Sequence, residues 1–174
     1  MGELRKTEYL CDPLSEKLLE LFRRKGLTFG AAESCTGGLI NCRLTAVPGS
    51  SDVVFGGVVS YSNSVKMKLL NVKSETLAAF GAVSENTALE MAVGVRGATG
   101  ADICVSVTGI AGPGGGTAEK PVGTVCFGIA SPVGTKTTTK HFDCHLSRDE
   151  IRRLAADFAL TLAISVAEQE VPNA

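Results

Sequence analysis

Capped helices alternate with short apolar runs along this chain, and that alternation constrains its fold more than any other feature. Asp12-Pro13 supplies a helix N-cap and first helical residue. Leu14, Leu18, Leu21 and Phe22 then share one helical face, and Gly26 ends the helix. A strand follows over 28–33, with a sharp turn at Ser34 and a helix over 36–45. Segment 53–61 reads as a strand apolar on both faces around Gly56-Gly57, as in a covered sheet. Ser62 or Asn63 caps a helix through Leu70, a short helix covers 75–80, and Ser84 caps a longer one ending near Gly100. Residues 102–108 read as a buried strand, and 123–130 with 135–142 as a hairpin about Pro132-Val133-Gly134. Ser147-Arg148-Asp149-Glu150 is a capping box opening a last helix, with Ile151, Leu154, Phe158 and Leu162 as its inner stripe. This order predicts an α/β protein: a three-layer α/β/α sandwich with a mixed, mostly parallel sheet. It is read as a single domain over 1–174, with its core at about 13–168.

Charge narrows the partners. The 17 basic and 18 acidic residues nearly cancel, which argues against a nucleic-acid footprint. A small anionic substrate needs only a local site and stays open. The apolar part of the last helix is interrupted by Asp157 and is too short to span a bilayer, and residues 1–10 lack the apolar stretch of a signal peptide. Six cysteines without a C-x-x-C pair read as reduced thiols, and the expected location is cytoplasmic. His141, Asp143, Cys144 and His145 are metal-ligand types, but no second cluster completes a tetrahedron, so no metal and no cofactor is expected. Valine- and alanine-rich helices are compatible with a homodimer or higher oligomer.

Three segments carry candidate chemistry, each at the carboxyl end of an expected strand, where open α/β sheets bind ligands. In Glu33-Ser34-Cys35-Thr36-Gly37-Gly38, the serine lies where a strand turns into a helix. Unpaired N–H groups there favour a phosphate or a developing oxyanion, although a plain serine N-cap reads the same way. In Tyr61-Ser62-Asn63-Ser64-Val65-Lys66, a lysine whose pKa is lowered by burial can activate a serine, and a tyrosine can relay the proton; the alternative is a solvated helix lysine. The glycines of Thr108-Gly109-Ile110-Ala111-Gly112-Pro113 and Gly114–Gly116 permit an anion-binding nest, and the loop lacks the ending of an ATP-binding P-loop. Lys120 is either a phosphate contact or a surface residue. Cys35 ranks second to Ser34 as nucleophile, since no histidine partners it.

These segments, with G-A-V-S at 81–84 and K-P-V-G-T-V at 120–125, resemble the CinA C-terminal-domain family, whose members include nicotinamide-mononucleotide deamidases. The resemblance runs from about residue 13 to 168. It implies an α/β/α sandwich, hydrolysis of nicotinamide mononucleotide to nicotinate mononucleotide and ammonia, and no metal. Ser34 would be the nucleophile, with Tyr61 and Lys66 as proton partners. Glu33, Cys35, Thr36, Gly37, Gly38, Asn63, Thr108, Gly109, Ala111, Gly112 and Arg148 would meet the substrate. The large N-terminal domain of many members lies outside the resemblance, so no activity of that domain is carried over. The rival expectations are a noncatalytic nucleotide-binding module, an amidase for another amide, and, with least support, a DNA-uptake or repair factor.

Overall fold

A computed structural model describes residues 12–169. Asp12 caps α1 (Pro13–Lys25) by accepting from the N–H groups of Leu14 and Ser15, and left-handed Gly26 closes it. Then come β1 (Phe29–Glu33), α2 (Leu39–Thr45), β2 (Val54–Val59), α3 (Asn63–Leu70), α4 (Ser74–Phe80) and α5 (Glu85–Thr99). The chain continues through β3 (Ile103–Gly109), β4 (Thr124–Ser131), β5 (Gly134–His141) and α6 (Arg148–Gln169). The capping box before α6 is formed: Ser147 N–H donates to the Glu150 carboxylate, and Glu150 N–H to Ser147 Oγ.

The strands make one sheet in the order β2-β1-β3-β4-β5. β1 pairs in parallel with β2 and β3, while β3–β4 and β4–β5 are antiparallel. The sheet is therefore mixed but evenly divided, not mostly parallel, because the closing hairpin supplies two of its four pairings. Helices α1, α2 and α6 cover one face; α5 covers the other, with α3 and α4 packed on it.

The two faces differ in side-chain size. Phe29, Ile103, Val105, Val107, Val125, Phe127 and Ile129 fill the α1/α2/α6 side. The α5 side carries Ala32 and Cys104 from the sheet, together with Ser106 and Gly128. Small residues there let α5 lie close: a Cβ on Gly128 would stand 2.4 Å from the Ala88 carbonyl oxygen. Two expectations need correction. β2 is an edge strand with alternating exposure rather than a strand covered on both faces; Phe55 and Val59 are about half exposed. On α6, Ile151 is buried and Phe158 and Leu162 pack half-buried against the core as expected, but Leu154 is exposed and Ala155, Ala159, Leu160 and Ala163 hold the fully buried positions. The alanine-rich phase won because alanines let α6 approach the sheet and α1.

Candidate active site

β1 delivers the chain to the centre of the sheet and stops at Glu33. Ser34 is held there by its N–H, which donates to the Val107 carbonyl of neighbouring β3. Gly37 and Gly38 then take positive φ angles of 64° and 97°, so the chain turns sharply before α2 begins at Leu39. The helix starts three residues later than the sequence suggested, and Gly38 is its N-cap.

Lys66 comes from α3, whose first turn is fixed by the Ser62 side chain accepting from Val65 N–H. Lys66 is 1% exposed, while its neighbour Lys68 lies in solvent. Its Nζ lies 3.0 Å from Ser34 Oγ and donates to the Ser60 carbonyl at 2.6 Å. Neither partner carries a formal charge. Burial pushes the lysine pKa below its ordinary value, toward the neutral amine. Cys35 is also buried, and burial pushes its thiol up to about 12, so it is a protonated neighbour rather than a ready nucleophile.

A cavity of about 250 Å³ opens over this pair. Ten sequence-selected residues line it: Ser34, Cys35, Tyr61, Asn63, Lys66, Thr108, Gly109, Ala111, Gly112 and Arg148. Thr108 Oγ1 donates to the Ala82 carbonyl, which ties the start of the glycine loop to the turn before α5. Arg148, at the start of α6, donates from Nη1 to the Gly112 carbonyl and from Nη2 to the Tyr61 hydroxyl. Tyr61 is 62% exposed, and its hydroxyl accepts from Arg148 rather than meeting Ser34 or Lys66. Lys120 is not among the lining residues; its ammonium donates to the carbonyls of Phe80 and Val83 and ties the glycine loop to the end of α4.

Glu33, Thr36, Gly37 and Gly38 do not line the cavity. Glu33 is fully buried, and its carboxylate accepts from the N–H groups of Gly38, Ile40 and Asn41. The α2 N-terminus, expected to serve a substrate anion or oxyanion, already serves this side chain. Upstream, the Cys35 N–H turns to its own thiol rather than to the Glu33 carboxylate. Thr36 is buried behind the turn, its carbonyl accepting from Arg152. Gly114 and Gly115 of the expected nest line it too, as do Ala82, Val83 and Ile110, which had not been singled out. Their motifs were legible, but short or apolar side chains give little residue-level signal.

Asp143, Cys144 and His145 are exposed and place one ligand atom each within 4.8 Å of the others, while His141 turns toward Thr124. A larger groove of about 420 Å³ lies between α1, α2 and α6, lined by Leu39 and six charged residues. Arg43 there pairs with Asp12 and Asp157, and Arg152 and Arg153 lie beside Asp149. The groove contains no nucleophile, which separates it from the Ser34 cavity. No helix among the described residues is long and apolar enough to cross a membrane.

The family model for the CinA C-terminal domain matches residues 11–167. A CinA-like protein of Chloroherpeton thalassium is 60% identical over 119 residues, 68% of this chain and 28% of that protein. One from Kosmotoga olearia is 50% identical over 149 residues, 86% of this chain and 36% of that protein. The chain thus spans about a third of the length of these relatives. The crystal structure of competence/damage inducible protein CihA from Agrobacterium tumefaciens superposes with a TM-score of 0.85 at 44% identity, covering 88% of this chain and 93% of that one. A CinA superfamily protein from Klebsiella pneumoniae gives 0.86 at 31% identity, covering 90% and 97%. With the family model matching almost the whole described length, the chain belongs to the CinA C-terminal domain family.

Proposed function

We propose that this chain hydrolyses the carboxamide of nicotinamide mononucleotide, releasing ammonia and nicotinate mononucleotide. The observation that carries the reading is the 3.0 Å approach of Lys66 Nζ to Ser34 Oγ, in a buried setting that favours the neutral amine. A serine hydroxyl needs a base, and a neutral amine supplies one without a histidine.

Lys66 accepts the Ser34 proton while the Ser60 carbonyl holds the amine in place. Ser34 Oγ bonds to the carboxamide carbon, and the carbonyl electron pair moves onto oxygen. The N–H of Cys35, a residue that lines the cavity, is the donor assigned to that oxyanion. When the oxyanion collapses, the C–N bond breaks and the Lys66 proton goes to the departing nitrogen, giving ammonia and an acyl-enzyme. Water, deprotonated by Lys66, cleaves the ester and restores Ser34. Arg148 and the glycine loop supply the cationic and N–H-rich wall for the substrate phosphate. Tyr61, bonded to Arg148, is assigned to that wall and not to proton transfer.

The test is ammonia release from nicotinamide mononucleotide by purified protein in the presence of EDTA, with Ser34→Ala alongside. Release by the wild type alone supports the reading. Equal release by Ser34→Ala removes the mechanism, and no release by either removes the substrate.

A further inference from the structure

Glu33 immediately precedes the proposed nucleophile, is 0% exposed, and has four hydrogen-bond partners that are all N–H groups. Oε2 accepts from Gly38 N at 2.8 Å and Ile40 N at 3.2 Å. Oε1 accepts from Asn41 N at 3.0 Å and Asn41 Nδ2 at 2.8 Å. A carboxylate offers about four lone-pair sites, so its accepting capacity is full. The main chain of the same residue reaches the other half of the dyad. Its carbonyl accepts from Ser60 N at 2.7 Å, and the Ser60 carbonyl in turn receives Lys66 Nζ.

We infer that Glu33 is a positioning residue for the Ser34–Lys66 pair, an internal anion that locks the first turn of α2 and thereby fixes the turn carrying Ser34. The inference rests on the amide-hydrolysis reading for its role in catalysis. It also accounts for the division of labour at the turn: Glu33 satisfies the helix N–H groups, while Ser34 and Cys35 line the cavity. Glutamine has the same outline but a single acceptor oxygen. Its NH2 group would face at least one backbone N–H whichever way it turned. Aspartate keeps the charge on a stem one methylene shorter.

Two readouts separate this role from the substrate assignment. One is steady-state deamidation. The other is labelling of Ser34 by a fluorophosphonate, in which the Ser34 Oγ–P bond forms and fluoride leaves; it needs the dyad but not a nicotinamide. Held well below its melting temperature, Glu33→Gln is expected to lose about 30-fold in both kcat and labelling rate, with KM within about threefold of wild type. Glu33→Asp is expected to recover to within about tenfold of wild type, even where its melting temperature falls as far as that of Glu33→Gln. A folded Glu33→Gln protein that labels at the wild-type rate overturns the inference, whatever its melting temperature. Should Glu33→Gln not fold, Asn41→Ala removes one donor from the carboxylate. A labelling rate about threefold lower supports the role, and an unchanged rate overturns it. If the wild type labels at Ser34 but releases no ammonia, the substrate reading fails and the role of Glu33 is decided by labelling alone.

Discussion

Lys66 and Arg43 are both buried basic side chains, 1% and 7% exposed, yet they are built in opposite ways. Arg43 sits between two carboxylates, with Nε 2.7 Å from Asp12 and Nη1 2.8 Å from Asp157. Burial pulls its pKa down, but those hydrogen bonds outweigh burial and hold it above the ordinary value. Lys66 has a hydroxyl and a carbonyl in place of carboxylates, and burial lowers its pKa against the weaker opposing effect of Cys35. A buried charge is tolerated when it is paired, whereas an unpaired amine is displaced toward its neutral form. Arg43 therefore joins α1, α2 and α6 as a fixed ion, and Lys66 is poised to exchange a proton.

The sharpest way to break this comparison is to remove each cation. Lys66→Met is expected to reduce kcat by about 10³-fold while changing the melting temperature little, because removing a desolvated amine offsets the loss of its hydrogen bonds to Ser34 and Ser60. Arg43→Met is expected to reverse the pattern. It should lose about 1–2 kcal/mol in urea unfolding, since Asp12 loses its guanidinium but keeps its cap hydrogen bonds and Asp157 turns to water, and keep kcat/KM within about threefold. If Arg43→Met lost activity as deeply as Lys66→Met at a temperature where both are folded, the ion cluster would belong to the site and the distinction would fail.

How much of this was legible beforehand depends on what each residue needed from its partners. The helix boundaries at Asp12, Gly26, Ser84 and Gly100 are local, set by capping and by left-handed glycine, and they came through. The three cavity segments were visible as motifs at strand ends, and ten of their residues meet around one cavity. The role of Glu33 was not visible, because a glutamate before a serine gives no sign that it will fold back onto the following helix. Arg43 was missed for the same reason: its partners lie 31 and 114 positions away in sequence. The α6 stripe was legible only in part: Ile151, Phe158 and Leu162 do meet the core, but Leu154 is exposed and the fully buried alanines were passed over, because close packing favours small residues there.

Titration sharpens the comparison with a smaller effect. The folded pKa of Lys66 lies below its ordinary 10.5, so between those two values the unfolded chain binds more protons and stability rises with pH. The slope is at most about 1.4 kcal/mol per pH unit, and it should vanish in Lys66→Met. The Arg43 cluster has the opposite signature. Burial raises the Asp12 pKa, but hydrogen bonds from Arg43 and Ser15 reverse that and hold it below 3.8. Its contribution is complete above 3.8 and is lost as pH falls through the folded value. Chemical denaturation of the wild type and both variants across pH checks both slopes. Rates offer a parallel measure: kcat/KM should rise with pH through the ionisation of Lys66, since only the neutral amine accepts the Ser34 proton.

The smallest expected effect concerns Cys35, which shares the burial of Lys66. Desolvation disfavours the charged form of each group, so the same surroundings that neutralise the amine keep the thiol protonated, with its pKa up to about 12. At pH 7.5 its thiolate fraction is then on the order of 10⁻⁵ to 10⁻⁴, roughly a thousandfold below that of an ordinary thiol. Cys42 and Cys144 are exposed and lie outside the cavity lining. Iodoacetamide at that pH should therefore modify Cys42 and Cys144, as read by peptide mass, and leave Cys35 intact with turnover within about twofold of the untreated protein. Rapid alkylation of Cys35 with loss of turnover would show a thiolate beside Ser34. That thiolate would itself favour the charged amine beside it, and Lys66 would no longer be the neutral base that the contrast with Arg43 requires.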